Sequence, residues 1–432
     1  MPAPTAPVHP SSGHSRSDQA FLRRPQTLSQ HRRTLSRRSA FGLLTSIMLM
    51  LLASSSAPTP LYATYQAQWG FSAITITVIF GVYAVAVLIS LLVFGSLSDH
   101  VGRRPVLIAG LVMQSAVMAL FAFAGDVDVL LLARVLQGIA TGLAVGAIGA
   151  ALVDLHPGHG PVANAAGAMG GTASGALASA LFVALLPSPT RLVYLVLLVL
   201  FVLQAVGVAL MAETSARTPG ALAALRPAIA IPSQVRSTLA VAAPSLVAVW
   251  ALGGFYLSLG PSLAARVAGT HSAILAGAAV FVLAGSGALT VVALRTVRAR
   301  TLSIAGSTLV VAGVPIVLVA ASSRSLALFF IGTAVAGAGF GGGFQGGLRT
   351  ILALAGPAER AGVISVAYII CYLALGLPAI LAGVLVVDST VLQTAREFGV
   401  AVIVLAGLTA GGMTLGAVRA RTHRPAACTA TR

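Results

Sequence analysis

The sequence predicts an all-α integral membrane protein: twelve transmembrane helices in two six-helix pseudo-repeat bundles, with both termini cytoplasmic. Three observations carry this expectation. First, of 432 residues 57% are hydrophobic and only 8% charged, with a mean hydropathy of +0.97. A soluble domain carries about 25% charged residues because it must cover itself with solvated groups, so the solvent of this chain is lipid. Second, apolar stretches of about 18 or more residues, each able to cross a ~30 Å hydrocarbon core, recur from Ala40 to the C-terminal tail. Third, the arginines gather in alternate connecting segments. Helices are expected over a barrel, because each segment in lipid must satisfy its own backbone and the short alternating strands of a membrane barrel are absent.

In chain order, residues 1–39 are rich in Arg, Ser and Pro without an apolar segment. They read as a disordered basic cytoplasmic tail and not as a secretory signal peptide. Six spans follow as a first bundle over 40–212: 40–62, 72–95, 105–124, 128–152, 163–186 and 191–212. The first ends in Pro58-Thr59-Pro60-Leu61-Tyr62, a run that breaks or kinks a helix. Residues 213–237, with Pro219, Pro227 and Pro232, form the one long internal loop, a cytoplasmic linker. The second bundle, 238–418, holds spans at 238–260, 270–294, 302–322, 325–348, 361–387 and 396–418, and 419–432 form a second cytoplasmic tail. A faint repeat links the halves: RRPVLIAG at 103–110 and ARTLSIAG at 299–306 share Arg104/Arg300 and the Ile-Ala-Gly that follows. Paired repeats around a midplane site are a common transporter plan.

Charge sets the orientation. The formal net charge is +17. All the basic side chains are arginines in short clusters between apolar stretches, which excludes the one-faced basic patch of a nucleic-acid binder. With the N-terminus inside, cytoplasmic segments hold Arg103, Arg104, Arg217, Arg226, Arg236, Arg295, Arg298, Arg300, Arg349 and Arg360 besides those of the tails. The outer loops hold only Arg191, Arg266, Arg324 and Arg396. That is the asymmetry of a positive-inside protein. Cys371 and Cys428 offer neither a disulfide framework nor metal spacing, and no phosphate-binding loop appears. Neither cofactor nor metal is expected.

Two motifs carry chemistry. The segment after the second span reads Gly95-Ser96-Leu97-Ser98-Asp99-His100-Val101-Gly102-Arg103-Arg104-Pro105. Gly95 permits close helix approach and Gly102 a tight turn, while Asp99 at a membrane boundary needs an arginine within reach. The segment resembles the G-x-L-S-D-x-x-G-R-R signature of the major facilitator superfamily. The resemblance implies that Asp99, Arg103 and Arg104 form a charge relay against a helix of the other half, closing the cytoplasmic side. The fourth span reads Arg134-Val135-Leu136-Gln137-Gly138, similar to the family's R-x-x-x-G pattern, which implies that Arg134 and Gly138 serve proton coupling. An intramembrane arginine is functional by default; the other reading is one that snorkels to the outer interface about a turn away. Gly167, Gly171 and Gly175 resemble the glycine-rich fifth-helix motif of the family's drug–proton antiporters without its G-P pair, and are read first as close packing. The glycines from Gly337 to Gly347 are either a flexible gating helix or close packing.

Substrate-binding candidates are aromatic and amide side chains near span centres, apolar surfaces with one polar handle: Tyr83, Gln137, Trp250, Tyr256, Gln345, Tyr368 and Tyr372. The acidic residues all fall in loops or at span ends, so no deep anionic pocket is expected and neutral, amphipathic or anionic compounds are favoured. Proton coupling then falls to Asp99, Asp126, Asp128 or Asp154, or is absent. The resemblance implies a monomeric, multi-pass inner-membrane secondary transporter, with the bilayer, a small-molecule substrate and protons as its partners. Proton-driven export of an amphipathic drug or metabolite leads, with import of a sugar or organic acid as the alternative. A membrane receptor or enzyme would need a reactive cluster, and Asp154, His156 and His159 in one loop read as solvated surface.

Overall fold

The computed structural model describes residues 35–227, 229–356 and 359–422, and every long element among them is helical. In the first half these are α1 (Arg37–Ser56), a 3₁₀ turn (Thr59–Leu61), α2 (Tyr62–Trp69), α3 (Ala73–Phe94), α4 (Leu97–Val101), α5 (Arg103–Ala122), α6 (Val127–Leu155), α7 (Gly160–Leu185) and α8 (Pro189–Ala209). A 3₁₀ turn (Ala223–Leu225) lies in the linker. The second half holds α9 (Ser233–Ser258), α10 (Gly260–Ala268), α11 (Ala273–Ala293), α12 (Ala299–Ser323), α13 (Leu326–Leu352), α14 (Arg360–Asp388) and α15 (Val391–Thr422). Among the described residues 12 stretches are long and apolar enough to span a bilayer, with α1 and α2 counted as one.

Side chains at the ends explain where helices start. Ser36, Ser72, Asp126, Ser272 and Ser325 each accept a hydrogen bond from the backbone N–H three residues on, satisfying a donor the helix cannot. Several boundaries differ from the hydropathy reading. α1 starts at Arg37, inside the segment read as tail, because Ser36 caps it and a polar first turn forms a helix outside lipid. α9 starts at Ser233 and α15 at Val391, each ahead of its apolar stretch, and α15 runs on to Thr422, past the expected end at 418. Residues 1–34, the bulk of the proposed N-terminal tail, and the tail beyond 422 lie outside the described residues.

The repeat is deeper than the eight-residue match. In each half the first long helix is followed by a short one, α2 or α10, closed by a left-handed glycine, Gly70 or Gly269, both at φ 67. A Ser-Ala-Ile start then opens the next span at Ser72 or Ser272. Arg104 donates through Nη2 to Ala209 O near the end of α8, and Arg300 donates to Met413 O in α15. The same arginine thus ties the third long helix to the sixth in both halves.

Each half has its own apolar core. The outer faces carry exposed large side chains at helical spacing, such as Val199, Leu203 and Val206 on α8 and Val400, Val404 and Leu408 on α15. Contiguous apolar surface of this kind requires lipid. The halves meet where α3 packs on α14 and α7 on α11. Small residues allow the approach: a methyl group on Gly383 would collide with Thr77, and one on Gly277 with Ala180 and the Ala176 carbonyl. Both contacts lie toward the arginine-poor face. There too Thr59 Oγ1 donates to Leu257 O at 3.1 Å, the one hydrogen bond between the helices of the two halves among the described residues. The two halves are therefore in direct contact on the arginine-poor side.

Candidate functional site

Three groups of side chains are candidates, and the sequence expectation covers part of each. The first is the loop from Gly95 to Arg104. Gly95 packs at the seam of α3 and α6, where a methyl on Gly146 would stand 3.4 Å from Gly95 Cα. Gly102, at φ 105, turns the chain from α4 into α5, a conformation that costs other residues. Arg103 is buried at 7% exposure. Its Nη1 pairs with Asp99 Oδ1 and donates to Ser98 Oγ at 2.7 Å, and its Nε donates to Asp154 Oδ2 at 3.3 Å. Asp154, exposed at the end of α6, is thus paired with this relay. His156 and His159 do pair at the surface, with ring nitrogens 3.1 Å apart. Among the described residues no group of three potential ligands could hold a metal. The relay was expected to reach a helix of the other half; among the described residues Asp99, Arg103 and Arg104 bond only within the first half and to the linker.

The second group surrounds Arg134, which is fully buried at 0% exposure. Snorkelling does not occur. Nη1 donates to Ser55 O at 3.0 Å and to Gln137 Oε1 at 2.8 Å, and Nη2 donates to the Tyr62 hydroxyl. The guanidinium carbon lies 5.8, 5.3 and 5.9 Å from the ring centroids of Tyr62, Tyr83 and Phe121. An arginine at the centre of a span costs about 2.5–3.5 kcal/mol on insertion scales and less toward its ends; Arg134 lies in the first third of α6. Charge-assisted hydrogen bonds return about 1.5–3 kcal/mol each and a desolvated aromatic face about 2 kcal/mol. These partners are enough to hold the cation without a carboxylate, and no carboxylate bonds it. Its Nε has no partner. The polar chain continues: Gln137 Nε2 donates to Ser54 O at 3.0 Å, and Gln114 Nε2 donates to Ser54 Oγ at 2.9 Å. Gly138 lets α6 approach α3, since a methyl there would come within 2.8 Å of Tyr83 O.

The third group is an aromatic cluster on the seam between the halves. Tyr83 of α3 belongs to the same apolar cluster as Tyr372 of α14, with Trp250 and Tyr368 packed against it. The Trp250 ring sits edge-on to Tyr372 at 5.0 Å and to Phe344 of α13 at 5.4 Å, and Tyr368 lies 6.1 Å from Tyr372. Trp250 Nε1 and Gln345 Oε1 are buried without a hydrogen-bond partner among the described residues. Tyr83 joins this cluster to the Arg134 group.

Of the seven substrate-binding candidates, the structure brings Tyr83, Trp250, Tyr368 and Tyr372 together. Gln137 belongs to the arginine network and Gln345 is next in chain to Phe344. Tyr256 lies elsewhere: its hydroxyl bonds Thr333 Oγ1 at 2.8 Å inside the second-half core, with Phe329 stacked nearby. Sequence reasoning does not reach Tyr62, Ser54, Ser55, Gln114 or Phe344. The one available signal was Ser54-Ser55-Ser56, three hydroxyls in a row in an apolar span.

Comparison with known proteins agrees with this architecture. The family model of the Major Facilitator Superfamily matches residues 43–377. The inner membrane transport protein YajR of Escherichia coli (strain K12) is 32% identical over 120 residues, which is 28% of this chain and about a quarter, 26%, of that protein's length. Among solved structures, the human organic anion transporter MFSD10 (TETRAN) superposes with a TM-score of 0.67 at 16% identity, over 87% of this chain and 100% of that one. At that identity the likeness concerns the fold.

Proposed function

The chain belongs to the Major Facilitator Superfamily, a family of membrane transporters, and from that premise we propose proton-driven export of a small amphipathic compound by alternating access. The observation that carries the reading is the aromatic seam of Tyr83, Trp250, Phe344 and Tyr372, with the unpartnered Trp250 Nε1 within it and a buried cation against one side. Ring faces supply apolar area and the lone Trp250 N–H supplies orientation, the usual make-up of a small-molecule site. The uncompensated Arg134 charge works against a cationic substrate and favours a neutral or anionic one. In this reading Asp99, Arg103 and Arg104 gate the arginine-rich face, which is cytoplasmic, and Arg134 with Gly138 serves coupling. The exchangeable proton sits on boundary carboxylates such as Asp99 or Asp154. The export direction rests on the resemblance to bacterial exporters.

The test is retention of a panel of fluorescent and antibiotic compounds in efflux-deficient bacteria expressing the chain, with and without a protonophore and beside Asp99→Asn. Lowered retention, abolished by the protonophore and by the substitution, is expected. Raised retention means uptake by the same fold, and unchanged retention with well-inserted protein removes broad drug export.

A further inference from the structure

The linker between the halves is fastened at both ends, and its fastenings fall on the loops that lead into α5 and α14. The first is built on Glu213. Its Oε1 accepts from Arg103 N at 2.8 Å, Thr214 N at 3.0 Å and Ser215 N at 3.3 Å, and its Oε2 accepts from Arg104 N at 3.1 Å. α5 begins at Arg103 after Gly102, which has no side chain with which to cap it. Glu213 supplies that cap from a distant part of the chain, and a carboxylate is favoured at a helix N-terminus. The fit is close: a methyl on Gly102 would stand 2.6 Å from Glu213 Oε2. Farther along, Thr218 N donates to His100 O at 3.1 Å, Thr218 Oγ1 donates to Asp99 O at 3.3 Å, and Ser96 Oγ donates to Ala224 O at 2.8 Å. Residues 213–224 are thus laced along the whole gating loop.

The second fastening is in the other half. Gln234 Nε2 donates to Glu359 Oε2 at 2.9 Å, and the same oxygen accepts from Gly356 N at 3.0 Å. Beside it Ala230 lies against the first turn of α14: a methyl on Gly362 would meet Ala230 N at 3.1 Å and Ala230 O at 3.3 Å. α14 is the helix that packs on α3 across the seam. Between Ala224, the last residue bonded to the gating loop, and Ala230 the chain takes six steps, which reach at most about 22 Å.

We propose that this linker is a strap of fixed reach that limits how far the two halves part on the arginine-rich face, pinned by Glu213 on one side and Glu359 on the other. Glu213 is thereby a positioning residue for the 95–104 loop. Opening or closing that face moves the entry of α14 relative to the entry of α5. A short segment held at both places must slacken or tighten with the motion, so the strength of each pin enters the balance between access states.

The inference rests on the transport reading for its kinetics but not for its geometry, and the experiment separates the two. Spin labels go on Gly158→Cys and Thr296→Cys, one exposed loop of each half on the arginine-rich side, in a full chain carrying Cys371→Ser and Cys428→Ser. Their separation is measured by pulsed electron resonance in lipid nanodiscs for Glu213, Glu213→Gln, Glu213→Asp and Glu359→Gln. Glu213→Gln and Glu359→Gln are expected to lengthen or broaden the distribution, changing the ratio of populations by about fivefold or more, the lower end of typical couplings between sites. Glu213→Asp, which keeps the charge, is expected to restore part of the wild-type distribution. In transport assays the two amide variants should change the maximal rate and leave KM near wild type. An unchanged distribution in folded, monodisperse Glu213→Gln protein overturns the strap. A lower melting temperature with an unchanged distribution also overturns it, since that is what a purely structural cap would do. A shifted distribution without measurable transport keeps the strap and counts against the transport reading.

Discussion

At the scale of single residues, Arg134 sets the chemistry of the first half. A lysine cannot replace it, because one ammonium cannot reach Ser55 O, Gln137 Oε1 and the Tyr62 hydroxyl as the planar guanidinium does. Arg134→Lys is therefore expected to lower transport by about tenfold or more, the effect of roughly 1.4 kcal/mol on a barrier, with insertion preserved. Tyr62→Phe removes one acceptor from a buried charge and should cost about 1–3 kcal/mol, read as a lower melting temperature in detergent. A Tyr62→Phe protein as stable as wild type would mean that the hydroxyl does not support the cation. Arg134 was legible in the sequence because a charge in an apolar span stands out. Its partners were not, because Ser55 contributes only a backbone carbonyl and Tyr62 sits beyond a helix break. Tyr256, whose hydroxyl bonds Thr333 in the second-half core, stands apart from the seam for the converse reason: a tyrosine in a span has the same signature whether its hydroxyl faces a substrate or a threonine in the core.

At the scale of helices, the glycines sort into one use. α13 offers Gly337, Gly339, Gly341, Gly342, Gly343 and Gly346, and at most of them a methyl would strike the backbone of α11 or α12. Close packing accounts for this helix, and the gating alternative has no support in its geometry. The same holds for Gly171 and Gly175 of α7, which pass against the Leu49 and Ala53 backbone of α1. Small residues carry a different consequence at Gly277, where α11 crosses to α7 of the other half. Gly277→Leu places a branched side chain on Ala176 and Ala180 and should prise apart the closed face, an overpacking cost of about 1–3 kcal/mol. The check is alkylation of Thr59→Cys, buried at 1% exposure in the closed state, by a membrane-impermeant thiol reagent in a background with Cys371 and Cys428 replaced by serine. Faster labelling in the Gly277→Leu background is expected, and an equal rate would show that this contact does not hold the face shut.

For the whole molecule, the even number of spans places both described ends on one face, and the positive-inside rule applied to the arginines leads us to expect that face to be cytoplasmic. A single cysteine at Thr270, in the exposed turn before α11, should then react with an impermeant reagent in intact cells, and one at Gly158 only after permeabilisation. The reverse pattern would invert the topology and exchange export for import in every argument about gating.

The sequence by itself determined the solvent, the class and the count: lipid, all helix, twelve spans in two sixes, and family membership through one loop. These follow from local properties, because hydropathy, span length and a compact motif are written in consecutive residues. Span ends were legible only to within several residues, since a capped polar turn extends a helix beyond its apolar stretch. Tertiary structure alone decided which aromatic residues meet on the seam and what holds Arg134. It also decided that the 95–104 loop is bound by Asp154 and Glu213. Those pairings join residues far apart in the chain, and an isolated tyrosine, serine or glutamate reads the same in sequence whether it bonds a distant partner, faces lipid or meets water.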